Sequence, residues 1–346
     1  MIPGVAPGTS LLALLLASLL ATLANPSTWI LALAGFLVRG GIILVLAPIV
    51  VVPSAVGLAN LVAPTLTSMV FGGISGEVLT TVVLIVVAVA SWLVLGGLAA
   101  AAVEAEGVRV IAQDEDVAGG AGRPGEPTRS GTMMRILLAR AVVAGPLVIA
   151  LATGSIRVVA VAYRELTVPS DVTAPFVLRV VRGAPEAIAW IVLAWILAEI
   201  VGALAARRIV LAGDGVIAAL GGSVRQIVRS PFNAVVAFIV PLAVLVGVLV
   251  PSAVASVASW DTVRATIAND AGPAAVVAWM IVFVGLWVGG LVLIGMACAW
   301  RSAVWTLETA RTFGGVTTGR PGDWTPTADT ATLADLRPHE ADSDPR

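Results

Sequence analysis

The sequence predicts an all-α integral membrane protein, with six transmembrane helices arranged as three tandem hairpins and accompanied by interfacial amphipathic helices. Three observations predict it. Of 346 residues, 59% are apolar and only 12% charged, where a soluble domain has roughly 45 to 50% and about 25%. Six apolar windows are long enough for a helix to cross a hydrocarbon layer about 30 Å thick. A short phrase also recurs, as Val52-Pro53-Ser54-Ala55-Val56, Val168-Pro169-Ser170-Asp171-Val172 and Val250-Pro251-Ser252-Ala253-Val254. Each copy falls where an odd-numbered span should end, which puts all three turns on one face of the membrane.

Taken in order, residues 9 to 24 are leucine-rich but too short to span comfortably, and they lack the basic start of a signal peptide. They predict an N-terminal interfacial or re-entrant helix within residues 1–26. Asn25 and Pro26 then act as cap and first-turn residue, since proline loses nothing where the helical amide has no partner. The six spans are expected at about 27–51, 78–103, 134–162, 185–206, 231–250 and 273–300, inside a membrane domain of residues 27–312. A polar, glycine-rich segment at 112–132 centres a loop of about 104–133. Outer-surface helices are expected around Phe176, Val177, Val180 and Val181, with Arg179 and Arg182 facing away, and around Trp260, Val263 and Ile267, with Asp261 and Arg264 facing away. Asp214 can cap an inner-surface helix with an apolar stripe of Ile217, Leu220, Val224 and Ile227. This helix stands to the fifth span as residues 11–24 stand to the first, matching Ala13 with Ala218, Leu15 with Leu220, Ser18 with Ser223 and Pro26 with Pro231. Residues 313–346 carry six acidic residues against three arginines and predict a disordered acidic cytosolic tail.

Orientation follows from arginine, which collects in cytoplasmic loops. A cytoplasmic N-terminus places Arg109, Arg123, Arg129, Arg135, Arg207, Arg208, Arg225, Arg229 and the Arg301–Arg346 group inside, and the C-terminus with them. Arg157, Arg164, Arg179 and Arg182 depart from this rule, and a surface helix can hold arginines at the headgroups.

Composition excludes much chemistry. The basic residues are all arginine, the one histidine (His339) lies in the polar tail, and the one cysteine (Cys298) lies in an apolar run. Lysine Schiff bases, Ser-His-Asp and Cys-His sites, disulfide frameworks and His/Cys zinc sites therefore lack their residues. No cofactor, no metal and no nucleic-acid partner are expected; the expected partners are membrane lipids and a membrane or cytosolic protein.

Ionisable side chains inside a span are costly and by default mark an inward face or a pathway. Arg39, Arg140 and Glu199 qualify, and Arg140 and Glu199 fall at similar depth. The reading pairs Arg140 with Glu199, with Arg39 as the competing partner; fixing helix register is the plainer role for such a pair. The small residues Gly202, Ala203 and Ala206 share a face with Glu199 and permit close packing. Gly285, Gly289, Gly290 and Gly295 form a small-residue face that is expected to pack inside the bundle, with a dimer seam as the alternative. Trp29, Trp92, Trp190, Trp260, Trp300 and Trp305 fall near span ends, where interfacial anchors belong, and Arg301, Glu308 and Arg311 fall on a solvated helical extension.

The stretch Ala205-Ala206-Arg207-Arg208-Ile209-Val210-Leu211-Ala212-Gly213-Asp214-Gly215, leading to Ser223 and the Ser230-Pro231 start of a span, resembles the six-helix membrane domain of some glycerophosphodiester phosphodiesterases and similar bacterial membrane proteins. The likeness covers residues 185 to 256 and implies the six-helix fold. The phosphodiesterase barrel and its metal site are absent from the chain, so the resemblance implies no hydrolase activity and no catalytic residue. The composition is similar to that of proteins from GC-rich bacteria, which implies a bacterial inner membrane. The favoured expectation is a non-enzymatic scaffold, accessory or lipid-contacting module. The alternative is a transporter subunit with a polar path near Arg39, Arg140 and Glu199, and an enzyme acting on lipid head groups through Glu199 or an outer-face carboxylate ranks last.

Overall fold

The computed structural model describes residues 10–46, 49, 76–114, 129–171 and 173–313. They form nine helices among the described residues: α1 (Leu11–Ala24), α2 (Pro26–Leu46), α3 (Gly76–Asp114), α4 (Arg129–Thr167), α5 (Phe176–Gly183), α6 (Pro185–Ala212), α7 (Val216–Arg229), α8 (Pro231–Ala268) and α9 (Pro273–Phe313). Six of them, α2, α3, α4, α6, α8 and α9, are long and apolar enough to cross a membrane. The turn expected at Val52–Val56, most of the 112–132 segment and the acidic tail from residue 314 lie outside the described residues.

Local chemistry sets where the helices begin. Asn25, Ala184 and Ser230 each separate a short helix from a long one, and each leaves the helical region, with ψ of 77°, 48° and 63°. Each is followed by proline, whose ring excludes the α conformation from the residue before it while fitting the first helical turn. Gly213 closes α6 in the left-handed region at φ 72°, where a side chain would be strained. Asp214 does not cap α7. It binds Arg208 at 2.9 Å, and Gly215 stands at the helix start without a side-chain bond. The charge-assisted pair outcompetes a capping bond to a neutral amide.

The long helices run past the expected span ends. α9 has 41 residues, about 60 Å of helix and twice the hydrocarbon thickness. α3 continues through residues 104–114, so the helix enters the region expected to be loop. α8 passes straight through Val250–Val254, where a turn was expected. Pro251 is carried inside the helix, with the Ser252 hydroxyl donating to the Val248 carbonyl at 2.7 Å and the Ser256 hydroxyl to the Ser252 carbonyl at 2.7 Å; membrane helices tolerate proline where hydroxyls and neighbouring helices share the disturbed backbone. The Trp260–Ile267 segment is consequently not a separate surface helix. Val263 is buried, and the Trp260 ring meets Phe283 of α9 at 5.0 Å.

Small residues set the packing. α2 lies on α3, with Gly35 against Val103 and Gly96 against Val38. α4 lies on α6, with Gly154 against Ile191 and Gly202 against Arg140. α8 lies on α9, with Gly290 against Ser252. α9 also receives α2, where a methyl group on Gly295 would come within 2.9 Å of the Trp29 carbonyl. Gly285 and Gly289 depart from the expectation: a methyl group on either would meet nothing within 4 Å, so neither is a close-packing point inside the bundle.

Three apolar cores hold the bundle. Leu14, Ile200, Leu204, Phe238, Val304 and Trp305 join α1, α6, α8 and α9. Ala101, Ala105, Ile136, Ala205, Ile209 and Ala219 join α3, α4, α6 and α7. Leu245, Ile294 and Ala297, with Leu33 and Phe36 against them, join α8, α9 and α2. Elsewhere α3 presents a bare apolar row that includes Leu79, Leu84, Val86 and Leu93, far more than a soluble surface carries.

Several tryptophans join helices instead of marking an interface. The indole N–H of Trp29 donates to the Thr22 carbonyl at 2.8 Å, that of Trp287 to the Val45 carbonyl at 3.0 Å, and that of Trp300 to the Ser18 hydroxyl at 3.0 Å. Trp92 and Trp190 remain exposed, as anchors would. At the α4–α5 turn, Glu165 accepts from the Ser170 amide and hydroxyl at 2.9 and 2.8 Å, and Arg179 turns in toward it at 3.7 Å, not away. In that turn the Thr173 hydroxyl and amide hold the Asp171 carboxyl below its ordinary pKa.

Candidate functional site: an arginine-lined cavity

The ionisable residues within the spans converge on one cavity of about 450 Å³ between α2, α3, α4, α6, α8 and α9. Its lining on α2 extends from Thr28 to Leu44, about 24 Å of helix and most of a hydrocarbon layer. α2 is broken along this wall. The helix is interrupted within Leu37–Gly41, where Gly40 leaves the helical region at φ 106°, a conformation that strongly favours glycine. Within a membrane, such a break is tolerated where the backbone is buried in protein or lines a cavity. The side chain beside the break is Arg39, which reaches across to α3.

Its partner there is Glu104, the acidic centre of the site. The Glu104 carboxylate is 6% exposed and accepts from three guanidiniums on three other helices. Arg140 Nη2 donates to Oε1 at 2.8 Å and to Oε2 at 3.1 Å, and Arg207 Nη1 donates to Oε1 at 2.5 Å. Arg39 Nη2 donates to Oε2. Arg207 also donates to the Ala203 carbonyl at 3.1 Å and the Ser302 hydroxyl at 3.0 Å. Glu199 forms a second acidic centre. Arg301 Nη2 donates to it at 2.7 Å, Arg140 Nη1 lies 3.8 Å away, and the Arg301 guanidinium sits 5.8 Å from the Phe238 ring centroid.

The structure therefore brings together all three residues expected from sequence, but with different partners. Arg140 and Glu199 are within ion-pair distance, yet the hydrogen bonds of Arg140 go to Glu104 and the close partner of Glu199 is Arg301. Arg39 joins Glu104, not Glu199. Sequence reasoning missed Glu104 because the apolar window of the second span ends at residue 103. The apolar periodicity of Val108 and Ile111, both buried, continues beyond it and was the available signal. Arg301 and Glu308 do not stand on a solvated face. Arg301 lines the cavity, and Glu308 is buried together with Val304, Trp305 and Leu307.

Gly202 explains how the Arg140 side chain fits. A methyl group there would lie 2.9 Å from Arg140 Nη1 and 3.2 Å from its Cδ, so the missing side chain is the seat of the guanidinium. Among the described residues, no group of His, Cys, Asp and Glu is placed to hold a metal ion. The chemistry on offer is that of guanidinium donors, two carboxylates, the Ser302 hydroxyl and the Cys298 thiol. Comparison of the chain with known protein families, curated proteins and solved structures finds no match.

Proposed function

We propose that the protein is the membrane-embedded component of a transport system, and that the arginine-lined cavity is the chamber in which its solute is held. One observation carries this reading: a 450 Å³ cavity bordered by intramembrane charges, with a broken helix supplying one of them. Charges within spans are expensive and mark pathways, and discontinuous helices near the bilayer midplane are where transporters build their sites. A scaffold needs neither an open chamber nor a break at Gly40.

In this reading the six spans are three tandem hairpins, α2–α3, α4–α6 and α8–α9, in a bacterial inner membrane with both termini cytoplasmic. α1, α5 and α7 lie at the membrane surface. The repeat is supported by Ser18 and Ser223, matched in the sequence and both fully buried, and by the shared helix–proline junctions at Asn25 and Ser230. α7 supports the lipid-contacting alternative, in which the chain is an accessory module. Its Ile217, Val224 and Val228 are all exposed, as an apolar face meeting lipid would be. The likeness of residues 185–256 to the phosphodiesterase membrane domain fits either role.

The test uses the chain's own cysteine, since Cys298 lines the cavity. Membrane-impermeant thiol reagents are applied to sealed vesicles of each orientation. Labelling from at least one side, absent in Cys298→Ala, is the expected result. A thiol that stays unlabelled from both sides in delipidated as well as native samples means a closed bundle and overturns the transport reading.

A further inference from the structure

We propose that the chamber binds a doubly charged oxyanion, a phosphate group carried either by a soluble ester or by a lipid head; this rests on the chamber reading above. Charge is the first observation. Among the described residues, the lining contains Arg39, Arg140, Arg207 and Arg301 against Glu104 and Glu199 alone. Four cations facing two anions leave two positive charges unbalanced inside a membrane bundle, where an uncompensated charge is strongly disfavoured.

Hydrogen bonding is the second observation. Arg140 Nε, Arg207 Nε and Trp305 Nε1 are buried donors without a partner, and all three residues line this cavity. Arg207 is 4% exposed and Trp305 1% exposed. Buried polar groups are nearly always satisfied, so the donor excess on these three lining residues points the same way as the charge excess, although the orphan atoms themselves lie beneath the cavity surface. Among the described residues, no unpartnered buried acceptor belongs to the lining; those of Gln226 and Glu308 lie outside it. A surplus of donors and a surplus of two positive charges describe one ligand class, an oxygen-rich dianion. Guanidinium groups suit it, because their planar forks pair with phosphate oxygens two bonds at a time.

Volume and lining narrow the class further. A chamber of about 450 Å³ is in the range that holds a small organic molecule, so the phosphate is expected to carry an organic body. Leu31, Phe36, Leu44 and Leu245 provide apolar wall for it.

The experiment follows Cys298 labelling in the full-length protein in phosphatidylcholine nanodiscs. The expected result has two parts. An anionic thiosulfonate reagent reacts faster than its cationic analogue, and either inorganic phosphate or replacement of part of the lipid by phosphatidic acid slows the reaction, while chloride does not. Protection by inorganic phosphate assigns a soluble anion, and protection only by phosphatidic acid assigns a lipid head. Arg39→Gln and, separately, Arg301→Gln should weaken protection about tenfold or more, the loss of one charge-assisted contact. Equal rates for both reagents, with no protection by either phosphate source, overturn the anion while leaving the chamber intact. Where Cys298 does not react, intact mass spectrometry decides: a retained phosphate-bearing lipid that Arg39→Gln releases supports the proposal, and a bare chain overturns it together with the chamber.

Discussion

Glu104 is bound by three arginines yet is a single side chain, and that asymmetry makes it the most consequential residue of the site. Removing one partner of a buried ion pair costs about 3 to 5 kcal/mol, because the remaining charge stays buried and uncompensated. Glu104→Gln should therefore lower the thermal midpoint of the purified protein far more than Glu106→Gln, whose carboxylate is 41% exposed. The same geometry decides an exchange experiment. Swapping Arg140 and Glu199 would restore the protein if they were each other's main partners. Because a carboxylate at position 140 would face Glu104, the double variant should be no more stable than Arg140→Glu, and rescue by the swap would contradict the hydrogen-bond pattern. Arg39, Arg140 and Glu199 were legible in the sequence because a charge inside an apolar run announces itself. Glu104, Arg207 and Arg301 were not, since each sits just past the end of an apolar window, and charges are ordinary there.

Among the elements, α2 differs from its neighbours in being broken within its span. Gly40 holds a backbone conformation that costs a residue with a side chain on the order of 1 to 3 kcal/mol, and no neighbouring atom obstructs a methyl group there. Gly40→Ala thus tests backbone strain without a clash. It should destabilise the fold by roughly that amount or straighten α2 and draw Arg39 away from Glu104. Both results are visible in one measurement series, thermal midpoint together with Cys298 labelling rate, and an unchanged midpoint and rate would mean that the break is incidental. The X-Pro dipeptides made the helix starts at Pro26 and Pro231 legible, because proline constrains its own and the preceding residue. The Leu37–Gly41 interruption carried only a Gly-Gly pair, which membrane helices contain often without breaking. The turn at Val250–Val254 failed for the opposite reason: serine hydroxyls and the adjacent α9 let proline remain helical.

At the scale of the molecule, apolar side chains divide between two destinations that composition does not distinguish. Leu14 is fully buried in the core shared by α1, α6, α8 and α9, whereas Leu12, two residues away, is 67% exposed. Leu14→Ala should cost about 2 to 5 kcal/mol, the usual range for a leucine removed from a packed core. Leu12→Ala should stay within roughly 0.5 kcal/mol, as surface substitutions do. Denaturation of the two variants in the same detergent checks the difference, and equal losses would mean that α1 is not docked on α9. All-helical architecture and six membrane-length helices were plain from apolar windows alone. Which face of each helix turns inward was not, since lipid and protein interior are equally apolar and the hydrophobic pattern no longer separates them.

The charge of the cavity has a consequence for how its ligand would leave. Four arginines reach the cavity from four different helices, so an anion held among them is held by groups mounted on separate elements. Release must then be mechanical: the arginines have to separate, and the one mounted beside a glycine-made break in its helix is Arg39. Such a site would depend on motion of its helices, not on proton exchange, to let its cargo go.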